Sequence, residues 1–218
     1  MHFLSHYYVE LPQNTPLFVA GLGIPDLVTG FSRTYNSVIK NSVLTIDEEL
    51  EQIQKGILSH YAADKRFHNS QLFMQQVTLV TQSLVNEGLD RKKLRLSVLA
   101  HIAIEMMIDR QILLQHEKVC IDFYNSIERA DEKVLNTYLS LFLTEKEVTI
   151  FLSKFQFFKQ RRFLFLFKEL EHIVFGLNRV YSNVTQTEMT NEDKAGFLSV
   201  LNNIDGQMRY SWKEILKA

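Results

Sequence analysis

Apolar residues recur along the chain with a period near 3.6, and no stretch alternates apolar and polar in the period-two manner of a strand. In HIAIEMMID, residues 101–109, His101, Glu105 and Asp109 stand four apart and nearly everything between them is apolar. The chain has three prolines, at 12, 16 and 25, and none after Pro25. A long proline-free stretch with helical periodicity predicts an all-α protein. The pattern places helices at 2–10, at 16–30 with a break or kink at Pro25, and at 46–68, 70–87, 90–116, 117–129, 131–142, 145–160, 161–182 and 191–216.

Helix starts support these boundaries. Thr15-Pro16 is a cap followed by proline at the first helical position. Thr45 with Glu48, and Thr144 with Glu147, form capping boxes. Thr190 precedes the last helix, with Asp193 supplying acid to its first turn. Gly88 marks a helix end before a restart near Asp90. The segment 181–193 is the best linker. The expected organisation is one helical domain, 1–218, whose motifs lie in 1–129 and whose bundle is completed by 130–218.

Composition narrows the function classes. With 46% hydrophobic and 22% charged residues, the chain can bury a sizeable core. The net charge of -1 argues against a dedicated nucleic-acid binder. Cys120 is the single cysteine, which excludes disulfide frameworks and cysteine-based zinc sites. MHFLSHYYVELPQ has no secretory-signal pattern and no apolar run is long enough to span a membrane, so a cytoplasmic location is expected. The Phe-rich 151–167 segment reads as core packing, with an apolar groove or a homodimer surface as its alternative uses; Lys154, Lys159, Arg161 and Arg162 lie beside it.

Two ionisable stripes carry the candidate chemistry. HYAADKRFH, residues 60–68, repeats the spacing of the 101–109 stripe with His60, Asp64 and His68. A step of four residues advances ~6 Å and turns ~40°, so neighbours at that spacing can ligate one ion, whereas the outer pair lies ~12 Å apart. Two such helices at ~8–10 Å could enclose one ion or two. The alternative is buried His–carboxylate ion pairs, at several kcal/mol of desolvation per ion. His6 in HFLSHYYV and Asp26 after Pro25 are further candidates; alone, they read as a core histidine and a cap after a helix break.

The motifs in series resemble the acyl carrier protein phosphodiesterases. MHFLSHYYV is similar to that family's opening. FVAGLGIPDLVTGF matches its Gly-small-Asp segment through Asp26 and Gly30, IQKGILSHYAAD supplies Gly56, Ile57, His60 and Asp64, and VLAHIAIEMMIDRQIL supplies Glu105 and Asp109. The resemblance covers roughly the first half of the chain. It implies an HD-like multi-helix bundle and phosphodiester hydrolysis with a divalent ion such as manganese, with acyl carrier protein as the phosphoester-bearing partner; the mixed nitrogen and oxygen donors of the stripes suit one or two ions of Mn, Fe, Zn or Ni. The stripes and the resemblance together give the candidate metal set His6, Asp26, His60, Asp64, His68, His101, Glu105 and Asp109, with His101, His68 and Asp26 also candidates for catalytic roles. The sequence departs from the family at His68 and Glu105, where aspartate is usual, at Arg110, where histidine is usual, and in the extra His101. Two other readings stay open: a non-catalytic helical module working through a partner, and a metalloprotein with one site of His6, His60 and His101.

Overall fold

The structure is a computed structural model that describes residues 1–12, 15–28 and 47–217, with the backbone alone at Val184. Every regular element among the described residues is helical, as the periodicity requires: α1 (Phe3–Val9), α2 (Pro16–Val28), α3 (Glu48–His68), α4 (Gln71–Asn86), α5 (Leu96–Gln115), α6 (Glu117–Glu128), α7 (Glu132–Ser140), α8 (Glu145–Arg161), a 3₁₀ helix (Phe163–Lys168), α9 (Leu170–Thr185) and α10 (Asn191–Lys217). None of these helices is long and apolar enough to cross a membrane.

The capping signals act at several starts. Thr144 and Glu147 bond reciprocally at the head of α8. Thr190 and Asp193 do the same before α10. The capping box at Thr45 and the end of the expected helix at 29–30 fall outside the described residues. At the start of α3, the Asp47 carboxylate accepts from Glu49 N at 2.8 Å and Leu50 N at 3.2 Å.

Three expectations need correction. Helix α2 continues through Pro25 instead of breaking there, so Asp26 is inside a helix and is not a cap. The segment from Asp90 is a turn, because Asp90 O accepts from Lys93 N and Leu94 N and its carboxylate accepts from Lys92 N; the helix begins at Leu96. The expected 161–182 helix is two elements. Arg162 adopts left-handed backbone (φ 44) and ends α8. The 3₁₀ helix then buries Leu164 and Phe167, three apart, on the single face that a three-residue turn presents.

The chain forms two compact units, each assembled from separated segments rather than from the two halves of the sequence. The first comprises Met1–Ser5, Lys65–His116 and Leu164–Ala218, and the second His6–Asp64 and Glu117–Phe163. In the first unit α5 is the central helix, packed by α4, α9 and α10. An unbroken run from Met106 to Leu113 is buried, which is why α5 is apolar on nearly every face. Arg110 sits in that run because its guanidinium donates to both Asp205 oxygens and to the carbonyls of Phe167 and Lys168 at the end of the 3₁₀ helix.

In the second unit α2 packs on α6 and α8, and α8 also packs on α6 and α7. The Phe-rich helix is core, as its spacing suggests: Phe151, Phe155 and Phe158 are buried, and Phe157 is the exposed member. Lys159 pairs with Glu132 and Arg162 with Glu128. Helices α2 and α3 approach until backbone meets backbone. A Cβ at Gly56 would lie 2.2 Å from Phe18 O, and one at Gly21 2.3 Å from Ile53 O. The two glycines therefore allow the approach that sets Asp26 of α2 beside His60 of α3.

Candidate metal centres

The sequence candidates separate into two clusters, one in each unit, with Asp109 outside both. In the second unit His6, Asp26 and His60 each offer a donor atom, and these atoms lie within 4.8 Å of one another. Two metal–ligand bonds of about 2.1 Å span about 4 Å, so the donors are within an ångström of an ion-binding set. Asp64, one turn beyond His60 on α3, brings Oδ2 to 3.4 Å from His60 Nε2 and Oδ1 to 3.2 Å from His6 Nε2.

The hydrogen bonding of His60 determines what its ring can do. Its Nδ1 lies 2.9 Å from Leu22 O. A carbonyl only accepts, so Nδ1 carries the proton, and the neutral ring offers a lone pair at Nε2. That lone pair faces Asp64 at 3.4 Å and Asp26 at 4.0 Å. A lone pair opposed to two carboxylates is repulsive unless a proton or another cation lies between them. A ligand histidine whose other nitrogen donates to a backbone carbonyl is the usual arrangement in metal sites.

His6 is buried (1% exposed) and its ring stacks on His60 at 3.8 Å with 21° between planes. Despite the short approach to Asp64, neither of its ring nitrogens has a hydrogen-bond partner. Burial and the neighbouring His60 push its pKa down to about 3, against the pull of Asp64. For His60 burial also acts downward, but Asp26 and Asp64 outweigh it and raise the pKa. Burial pushes the Asp64 pKa up, yet the His6 and His60 rings beside it hold it well below the ordinary carboxylate range. Tyr61 is pushed up to about 12 by burial, Asp26 and Asp64, so it is a proton-bearing donor at neutral pH.

In the first unit the cluster is His68, His101 and Glu105, again with donor atoms within 4.8 Å. Glu105 Oε1 lies 2.7 Å from His68 Nε2, 3.1 Å from His101 Nε2 and 3.0 Å from the Met1 nitrogen. Burial opposes the charge on Glu105, but the Met1 ammonium and the two imidazoles hold its pKa well below normal.

Asp109 serves a different purpose from the ligand role expected of it. Its Oδ1 accepts from Ser5 N at 2.7 Å and Ser5 Oγ at 2.5 Å, and its Oδ2 accepts from Leu4 N at 2.9 Å and lies 2.6 Å from His2 Nδ1. It is fully buried and caps the first turn of α1. His2 is the partner of Asp109 that the sequence pattern did not single out. Within the first unit His101 clusters with His68 and Glu105, and within the second His6 and His60 cluster with Asp26, so both clusters contain carboxylates.

Fold and site together define an all-helical protein with two His–carboxylate clusters. No family model, curated protein or solved structure matches this chain.

Proposed function

We propose that this protein is a metal-dependent phosphoric ester hydrolase with an HD-like helical bundle, related to the acyl carrier protein phosphodiesterases and working in the cytoplasm. Its ion is a divalent transition metal held by His6, Asp26 and His60, with Asp64 beside them. The observation that carries this reading is His60: Nδ1 is committed to Leu22 O, and Nε2 faces the carboxylates of Asp26 and Asp64. The unpartnered ring nitrogens of His6 support it, since a buried polar atom without a partner costs about 1–3 kcal/mol and a ligand role removes that cost.

A mixed nitrogen and oxygen donor set suits Mn, Fe, Zn or Ni over Mg or Ca. Bound there, such an ion supplies Lewis acidity toward a phosphoryl oxygen and a nearby water. The protein's part is to hold both imidazoles aimed. Leu22 O fixes the tautomer of His60, and the stacked ring of His60 fixes the plane of His6. Asp64 stays ionised at any working pH and balances charge at the site. Tyr61 offers a donor to an anionic substrate oxygen. His68 and His101, expected as proton-transfer groups, belong to the first unit.

The substrate is a phosphoester, with acyl carrier protein as the carrier suggested by the motif series. The test is elemental analysis of purified protein with hydrolysis of bis(4-nitrophenyl) phosphate and of holo-acyl carrier protein. Metal-dependent turnover of either, lost on chelation and restored by Mn²⁺ or Co²⁺, is the expected result. Protein that takes up no metal, or turnover indifferent to Asp26→Ala, would overturn the reading.

A further inference from the structure

The geometry points to a second, independent cation site formed by His68, His101 and Glu105, which takes a borderline divalent ion such as Zn²⁺ or Co²⁺ and clamps the end of α3 to α5 within the first unit. It rests on none of the residues used for the proposed hydrolase site.

His101 and Glu105 are one turn apart on α5, and His68 is the last residue of α3. The two imidazole Nε2 atoms converge on the same carboxylate oxygen, at 2.7 and 3.1 Å. The rings are 4.7 Å apart and tilted by 48°, so their nitrogens meet while their planes diverge. The Met1 ammonium, 3.0 Å from that oxygen and 3.3 Å from His68 Nε2, is the cation this cluster holds without a metal, and a divalent ion would displace it to take two imidazoles and one carboxylate, a donor set that Fe, Co and Zn share.

The surroundings suit an ion as well. Phe73, 1% exposed, stands edge-on to His101 at 4.9 Å and lies against His68 at 5.4 Å. Phe67 packs on Phe73 in turn, so both ligand rings rest on a fixed aromatic wall. The outer side is open, with His68 33% and His101 37% exposed and Glu105 12%. An ion therefore has a path in from solvent and a preset place to bind. Without a metal the same groups form a His–Glu–His cluster closed by the Met1 ammonium, and the two cases differ in a measurable way.

The test is Co²⁺ titration of the full-length protein followed by calorimetry and visible absorption, with far-UV circular dichroism to confirm folding. Wild type is expected to bind two Co²⁺ per chain. His6→Gln/His60→Gln, or Asp26→Ala should that double variant not fold, is expected to keep one. His101→Gln, at a site open enough to tolerate the change, should weaken that remaining ion by more than about 100-fold, beyond the range seen on removing supporting groups alone. One Co²⁺ per wild-type chain, abolished by the His6 and His60 changes, would overturn this inference and leave the hydrolase site standing. One Co²⁺ indifferent to His6, Asp26 and His60 but lost with His101→Gln would do the reverse. No Co²⁺ in wild type would overturn both.

Discussion

The two His–carboxylate clusters use the same residue types and the same four-residue spacing on a helix, yet burial makes them different devices. In the second unit His6 and His60 are 1% and 2% exposed, one without hydrogen-bond partners and the other locked to a backbone carbonyl. In the first unit two half-open imidazoles converge on one carboxylate oxygen that they already satisfy. The second-unit cluster keeps its imidazoles buried and oriented, whereas the imidazoles of the first-unit cluster are partly exposed. Fixed, buried imidazoles beside the more accessible carboxylates Asp26 and Asp64 suit the proposed hydrolytic ion, and the pairing of α3 with α5 suits the proposed clamp.

The largest effect expected is on turnover. Asp26→Ala removes a carboxylate from the second-unit cluster and should lower metal-dependent phosphodiester hydrolysis by about 10³-fold or more, the scale of losing an electrostatic stabiliser of a transition state. Steady-state kinetics at saturating Mn²⁺ checks it.

Next comes Asp109→Ala. It leaves two backbone N–H groups and the Ser5 hydroxyl without their acceptor in a buried place, at an expected cost of about 3 kcal/mol or more. Urea unfolding should show it, with Asp109→Asn less damaging. Gly56→Ala then forces α2 and α3 apart against Phe18 O and should cost about 2–3 kcal/mol, while also loosening the second-unit cluster. Thermal unfolding together with metal uptake separates it from a change that affects stability alone.

Metal-free protein should lose stability as pH falls from 6.5. His6 titrates near 3 when folded and near 6.5 when unfolded, so the unfolded state binds the extra proton in that window. The loss should reach about 2 kcal/mol by pH 5. His60 has the opposite sign: its raised pKa gives stability that is complete below 6.5 and fades as pH climbs through the folded value. Below about 4.5 Glu105 and then Asp64 add to the loss, because both are held ionised in the folded state. Denaturation curves at stepped pH in chelator give the profile, and saturating Co²⁺ should flatten its acid side down to the pH where protons displace the ion. Smallest of all, Gly206→Ala in α10 meets no atom within 4 Å and should gain about 0.5–1 kcal/mol in helix preference, a control for Gly56.

Much of the helical architecture was legible in the sequence, because each helix carries local signals. Thr144 with Glu147 and Thr190 with Asp193 make the bonds their spacing foretold. The backbone at Arg162 was not legible, since arginine gives no hint of a left-handed conformation and FLFLF reads equally as α or 3₁₀. The sequence predicts a helix restart near Asp90, but its carboxylate bonds the N–H two residues on in a turn, a contact that a helix-capping carboxylate makes as well. The stripes told which side chains share a helix face. They could not tell which face meets which, so Asp109 read as a ligand although its i,i+8 separation from His101 already put it beyond a shared ion. Its true partners, Leu4, Ser5 and His2, precede it by over a hundred residues and form no motif with it. The value of Gly21 and Gly56 was likewise invisible until α2 and α3 met.

The most direct measurement is an anomalous difference map from crystals grown with Co²⁺, collected on both sides of the cobalt edge. The expected result is a peak bonded to His60 Nε2, a His6 ring nitrogen and an Asp26 oxygen. A map with no peak there, and His60 Nε2 simply hydrogen-bonded to Asp64, would contradict the proposed metal centre.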